Sequence, residues 1–242
     1  MAFTHGKKIK VFIDEYEFTS YFREFSAPSA VDTADASTFG MDSKAFLVGE
    51  DSGTISLNGL FDSTALVSTD VFFASVIGGD TKSNVIVGVQ GHALGGRAVM
   101  CNADTSSYNI PSSKGDVVKA EAQFIASDGV QSGVFLSSGA SVNATGVGTG
   151  VDNGAASANG GVAYLSVPVD TRDGTIIVKV QHSADNATFV DLVTFATVVA
   201  ATPTSERIVV AAGTAVSRYL RVSYTFAGTT GAATPVVAFA RR

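Results

Sequence analysis

The sequence predicts an all-β protein with one short helix. Short β-branched and aromatic runs recur along all 242 residues, several of them alternate polar and apolar with period two, and a single segment carries helical spacing. Ile9–Tyr16 reads as a first strand broken by an acidic turn, and Tyr21–Phe25 as a second. Thr54–Phe61 alternates cleanly, and Val85–Val89 and Ala120–Ala126 follow as half-buried or core strands. The helix falls on Ser68–Gly78: Ser68 or Thr69 caps it, Asp70 complements the dipole, Phe72, Phe73, Val76 and Ile77 share a stripe, and Gly78-Gly79 stops it.

From Ser137 to Gly161 the chain is Gly, Ala, Ser, Thr and Asn with few large residues, which reads as a linker plus loop. A domain boundary near residue 140 follows. Residues 1–140 form an N-terminal β-sandwich or barrel, and residues 141–242 form the Gly/Ala-rich linker and a second, independent β-sandwich. The strands expected in the second part are Val162–Val169, Thr175–Gln181, Phe189–Phe195, Ile208–Val210, Tyr219–Phe226 and Val236–Ala240.

Charged residues are only 16% of the chain, below the roughly 25% usual in soluble domains, and 25 glycines accompany them. A surface of Ser, Thr, Ala and Gly is weakly defended against association, which suits a protein covered by copies of itself. The charge is uneven: up to Ala140 there are 9 Lys/Arg against 16 Asp/Glu, and after it 7 against 6. An acidic first part repels phosphates, which argues against ordinary nucleic-acid binding and suits a channel through which DNA slides without sticking.

No pattern points to catalysis, a metal or a cofactor. His5, His92 and His182 lie far apart, and Cys101 sits in an apolar run as a small hydrophobe. Gly146–Gly150 lacks the strand-to-helix context and the Lys-Ser/Thr pair of a phosphate loop. Asp152-Asn153-Gly154 and Asp170–Gly174 read as tight turns rather than calcium loops, and Gly91-His92-Ala93-Leu94-Gly95 has Ala where a nucleophile elbow needs Ser. The N-terminus, charged from Lys7, has no apolar stretch for a signal peptide, and no run of about 18 apolar residues could span a membrane. Synthesis in a cytoplasm-like compartment without membrane binding is expected.

Several stretches together resemble the tail tube proteins of long-tailed, non-contractile bacteriophages. They are an early strand, the excursion SAPSAVDTADASTFGMDSKAFLVGEDSG, the strand TISLNGLFD, the helix around STDVFFASVIG, and YNIPSSKGDVVKAEAQFIASDG with its Lys-Gly-Asp turn before a closing strand. The likeness covers roughly residues 5–135. The second part is similar to sandwich modules carried on the outside of phage virions.

The resemblance implies a virion structural protein, assembled in the host bacterial cytoplasm and resident in the virion tail. Its copies would join by their sheet edges into rings, six per ring or three if both parts contribute, and the rings would stack through the long loop at about 26–53 and the N-terminal segment. Viral DNA would pass through the lumen, and the tape measure, tail terminator and distal tail proteins would be partners. Some of Asp14, Glu15, Glu17, Asp32, Asp35, Asp42, Glu50 and Asp51 would face the lumen or the seam between rings. The alternatives are a phage decoration or host-surface glycan-binding protein, which the absence of Trp weakens, and a small hydrolase on a sandwich.

Overall fold

The computed structural model describes residues 5–64 and 67–242, and the chain is all-β. A 3₁₀ turn at Gly6–Lys8 precedes the strands β1 (Lys10–Ile13), β2 (Tyr16–Glu17), β3 (Phe22–Ser26), β4 (Ser29–Asp35) and β5 (Phe46–Leu60). The one α-helix, α1 (Thr69–Val76), comes next, then β6 (Ser83–Gly88), β7 (Arg97–Asn109), β8 (Lys119–Ala126) and β9 (Gln131–Phe135). The remainder supplies β10 (Gly146–Val147), β11 (Val151–Asp152), β12 (Gly161–Val167), β13 (Thr175–Ser183), β14 (Val190–Thr194), β15 (Thr204–Val210), β16 (Tyr219–Ala227) and β17 (Val236–Arg241).

The chain divides into two compact units that are not consecutive in sequence. The first comprises Met1–Ser20, Asn84–Met100 and Gln131–Arg242, and the second Tyr21–Ser83 and Cys101–Val130.

In the first unit, β12 and β17 are almost wholly apolar, and strands of that composition must be covered on both faces. They pair antiparallel, Leu165 opposite Val237 and Ala163 opposite Phe239. Ala163, Leu165, Val167, Val237 and Phe239 pack against a five-stranded sheet ordered β10-β16-β13-β14, with β11 also on β16, through Ile176, Val178, Val180, Leu220, Val222 and Tyr224. The opposite faces, Val162, Tyr164, Val236, Ala238 and Ala240, join Phe12, Ile86, Ala98, Met100 and Phe135 in a second core. Strand β9 pairs with both β17 and the start of β7, so the ladder carries residues from both sides of position 140.

A boundary near residue 140 is therefore not where this unit divides, because β12 and β17 bury one face against Phe12, Ile86, Ala98, Met100 and Phe135. The Gly/Ala/Ser stretch after Ser137 is not a free linker either. Its backbone is bonded into the sandwich: Val142 and Ala233 exchange hydrogen bonds (2.7 and 2.9 Å), Gly148 N–H donates to the Val222 carbonyl (2.8 Å), and Ser157 and Val216 exchange a further pair (2.9 and 2.8 Å). At Gly139, φ is +66° and an added methyl would run into the His92 ring, so only glycine lets the chain pass there.

In the second unit, β5 is flanked by β8 on one side and by β3 and β4 end to end on the other. Ile55, Leu57, Ala120, Ala122 and Phe124 are buried on one face, and Ser56, Asn58, Glu121 and Gln123 alternate onto the other. Helix α1 begins as the sequence predicts, with Ser68 Oγ accepting from Val71 N–H, and ends before Gly78 at φ +72°. Its Phe73, fully buried, meets Phe22, Phe124 and the stacked ring of Tyr108 (5.3 Å between centroids). The Tyr108 hydroxyl donates to Asp70 (3.3 Å), and burial together with the Asp70 charge pushes its pKa up to about 12.

Two outcomes follow. Residues 141–242 expressed alone are expected to give no cooperative melt and no dispersed amide spectrum; a folded, monomeric fragment would contradict the shared core. Arg172 and Asp170 form a fully buried bidentate pair (2.8 and 2.6 Å). Arg172→Ala, which strands the carboxylate, is expected to cost about 3–5 kcal/mol in urea denaturation, with much of the loss recovered when Asp170 is also made apolar.

Candidate assembly surface

Residues 26–53, expected as an extended loop, form a β-hairpin instead. Ser29 pairs with Gly53, Val31 with Asp51, Thr33 with Val48, Ala34 with Leu47 and Asp35 with Phe46, with a bulge between Val31 and Thr33. The turn is closed by Ala36 N–H donating to the Ala45 carbonyl (2.8 Å), Ala45 N–H to Ser37 Oγ (3.0 Å) and Ser37 N–H to Asp35 Oδ1 (2.9 Å). The Ser37 hydroxyl and amide hold the Asp35 carboxyl below its ordinary range.

Successive side chains on a strand point to opposite faces. Phe46 and Val48 therefore stand on one face of this ribbon and Leu47 on the other. Their exposures are 56%, 78% and 64%, and Phe39 and Met41 at the tip are exposed as well. Every residue of β4 is exposed, as are the first seven of β5. A two-stranded ribbon with uncovered apolar groups on both faces presents an exposed apolar surface of the kind that marks interaction sites.

Five of the acidic residues singled out in the sequence, Asp32, Asp35, Asp42, Glu50 and Asp51, lie on this hairpin and all are exposed. The other three lie at the β1–β2 turn of the first unit. Asp14, at φ +50°, accepts from Asn84 N–H at Oδ1 (2.8 Å) and donates its own N–H to the Asn84 carbonyl (2.8 Å). Glu15 adds to burial in raising the pKa of Tyr16. Glu17 pairs with Lys10 (2.5 Å); burial raises its pKa, and the hydrogen bonds from Lys10 and Thr19 outweigh that and lower it.

The apolar hairpin residues carry the surface, and composition passed over them. The signal available was Phe46-Leu47-Val48, an apolar triplet inside an otherwise polar excursion. Glu24 and Glu121 were also missed. They lie on the polar face of the second unit's sheet, where they accept from Asn58 (3.2 Å) and Asn109 (3.3 Å). The alternation of Lys119, Glu121 and Gln123 with Ala120, Ala122 and Phe124 marks that face.

Among the described residues no three His, Cys, Asp or Glu come together to hold a metal. The acidic turns are already saturated. Asp152 takes a bidentate bond from Arg218 (2.7 and 2.6 Å), Asp170 holds Arg172, and Asp173 accepts from Thr229 and Thr230. In the Gly-rich run, Gly146 and Val147 pair with β16 and Gly148 N–H is used by Val222, which leaves no cradle for a phosphate.

Fold and surface together define an all-β chain with an uncovered, acidic, two-faced hairpin. No family model matches the chain, and no curated protein matches it. Among solved structures it is similar to a chain from the virion of a native gene transfer agent particle, at a TM-score of 0.45 and 16% identity over 53% of this chain and 97% of that one. It is also similar to a chain from the tail of an empty gene transfer agent particle with C6 symmetry, at a TM-score of 0.43 and 16% identity over the same shares. The crystal structure of the SPP1 Dit protein, described as a hub of the adsorption apparatus in phages infecting Gram-positive hosts, matches at a TM-score of 0.37 and 12% identity over 96% of this chain and 98% of that one. These neighbours come from a virion, from a tail and from a hub of an adsorption apparatus, and none is described as an enzyme.

The saturated turns make a prediction about pH. Backbone amides of Ala187 and Thr188, then the Ser183 hydroxyl, lower the Asp185 pKa to about 2. A depressed carboxylate stabilises the fold fully above its unfolded pKa of about 3.9, and the contribution is lost as pH falls toward the folded value. Asp185→Ala is expected to lower the melting temperature at pH 7 by about 3 °C. Calorimetry near pH 2 should show most of that difference gone, and millimolar calcium should shift neither melt.

Proposed function

We propose that this chain is the structural subunit of a viral tail tube. Copies join side by side into rings, six to a ring, and the rings stack into a hollow polymer through which DNA passes. The tape measure, tail terminator and distal tail proteins meet it in the tail, and the sheet of β10, β11, β13, β14 and β16 faces outward.

The observation that carries this reading is the hairpin, whose apolar residues on both faces find no cover in their own chain. A second feature supports it. Strands β3 and β4 are hydrogen-bonded to β5 on one side and to no other strand among the described residues. An open edge is a template for pairing with a sister chain, and a closed ring satisfies all such edges at once. The surface beside this sheet mixes Arg23 and Lys119 with Glu24, Asp116 and Glu121, a slightly acidic lining that would not bind phosphates. Residues 1–4 of the N-terminal segment, also expected at the ring seam, lie outside the described residues.

Negative-stain microscopy of the purified chain is expected to show tubes. The triple variant Phe46→Ser, Leu47→Ser, Val48→Ser should melt within a few degrees of the parent, because those side chains bury little in the monomer, yet form no tubes. A parent that stays monomeric at high concentration, or a triple variant that polymerises normally, would count against the proposal.

A further inference from the structure

Two side chains of the first unit hold one short stretch of main chain, one by its carbonyls and the other by an amide. Arg241, at the end of β17, takes the carbonyls just before β16: Nη1 donates to Val216 (2.8 Å), and Nη2 to Ser217 (2.5 Å) and Arg218 (3.2 Å). His182, near the end of β13, takes the amide, its Nδ1 accepting from Ser217 N–H (3.1 Å). The loop at 153–160 hangs in turn on that stretch. Ser157 and Val216 exchange a pair of bonds, Asn153 N–H donates to the Arg218 carbonyl (3.1 Å), and Gly160 N–H donates to the Thr214 carbonyl (2.9 Å). Arg241 Nη1 also reaches Ser157 Oγ (3.3 Å).

An amide can donate to Nδ1 only while that nitrogen keeps its lone pair, so the ring is neutral with its proton on Nε2. Among the described residues no carboxylate favours its charged form. β17 presents Arg241, a cation, and the start of β16 presents Arg218, another, whose guanidinium is spent on Asp152 of β11 (2.7 and 2.6 Å). On the turn after β13, Asp185 is committed to Ser183, Ala187 and Thr188, and Asp191 of β14 is committed to Lys179 and Gln181. Arg241 Nε is buried without a partner, so this corner of the sandwich is already short of acceptors. Burial first, and then the Arg241 charge, hold the His182 pKa below the ordinary histidine value.

We infer that His182 and Arg241 form an acid-released latch on residues 213–218. Protonation of the His182 ring turns Nδ1 from acceptor into donor, leaves the Ser217 amide without its partner and sets a second cation beside Arg241. The stretch 213–218 and the loop 153–160 that hangs on it then loosen together, while β12 and the cores on its two faces stay in place. The sign follows from the direction of the shift. A base whose folded pKa lies below its ordinary value stabilises the fold fully above about pH 6.5, and the contribution is lost as pH falls through the folded value. The latch works within one chain and stands whether or not the chain forms tubes.

Hydrogen–deuterium exchange of the full chain, read by mass spectrometry at about pH 7.5 and about pH 5 and corrected for the intrinsic exchange rate at each, tests the latch. Protection of peptides covering 153–160 and 213–218 is expected to fall about tenfold at the lower pH, and that of β12 to stay the same. In His182→Asn the side-chain oxygen stands near the Nδ1 position and does not titrate, so protection of the two segments should be alike at both pH values. His92, whose pKa burial also lowers, packs on Phe12 and Phe135, so its titration would be read in other peptides. An equal acid loss in the Asn variant, or a loss spread evenly over the whole chain, would overturn the latch. Should the variant melt far below the parent, the parent's own profile decides, because unchanged protection at 213–218 between the two pH values also overturns it.

Discussion

A two-stranded ribbon cannot cover its own faces, and the rest of this molecule's surface chemistry follows from that limit. Elsewhere the chain solves the problem internally. β12 and β17, apolar on both faces, lie between two cores, and the polar face of β8 is left to water. At Phe46, Leu47 and Val48 no such solution is present within the chain. The hairpin keeps its shape through its ladder and the Asp35–Ser37 closure, which fixes the strands but buries nothing. Its remaining free energy is available to whatever encloses it.

The contrast between the two units has the same origin. The first is rich in tertiary devices: a fully buried ion pair at Asp170–Arg172, a bidentate Asp152–Arg218 pair, and the Arg221 guanidinium stacked 3.9 Å from the Phe189 ring. The second relies on one aromatic cluster around Phe73 and leaves an edge and a hairpin open. A small unit with unsatisfied edges is the part of a protein expected to fluctuate first and to gain most from a partner. Internal pairing and open surface are thus divided between the units, and the low charge content is tolerable because much of the exposed surface is polar without being ionised.

How far the sequence could be read depends on where each pattern comes from. Thr54–Phe61, Ala120–Ala126 and Tyr219–Tyr224 were legible because each faces a core on one side only, and burial writes period two into the residues. Helix α1 was legible from its cap, its stripe and Gly78. The hairpin at 29–53 was not, because every residue of β4 is exposed and no burial within the chain imprints alternation on Ser-Ala-Val-Asp-Thr-Ala-Asp. Residues 137–161 misled for the opposite reason: small side chains leave no pattern, yet long-range backbone bonds to Val216, Val222 and Ala233 hold them. The boundary near 140 failed because pairing of β9 with β17 spans about a hundred residues, and local composition carries no trace of it. Acid counting reached the hairpin only in part, as three of its eight residues sit at a turn near Asn84.

The acids of the hairpin then acquire a role that composition alone could not show. An exposed apolar triplet in a ribbon with an open edge is an aggregation hazard, and flanking charges are the usual protection. Asp35, Asp42, Glu50 and Asp51 stand exposed on the same hairpin as Phe46–Val48, and like charges on a shared surface oppose contact between identical faces. The carboxylates thus oppose hairpin-to-hairpin contact while leaving the apolar triplet uncovered. Protection of that kind needs only charges placed beside the apolar groups they guard.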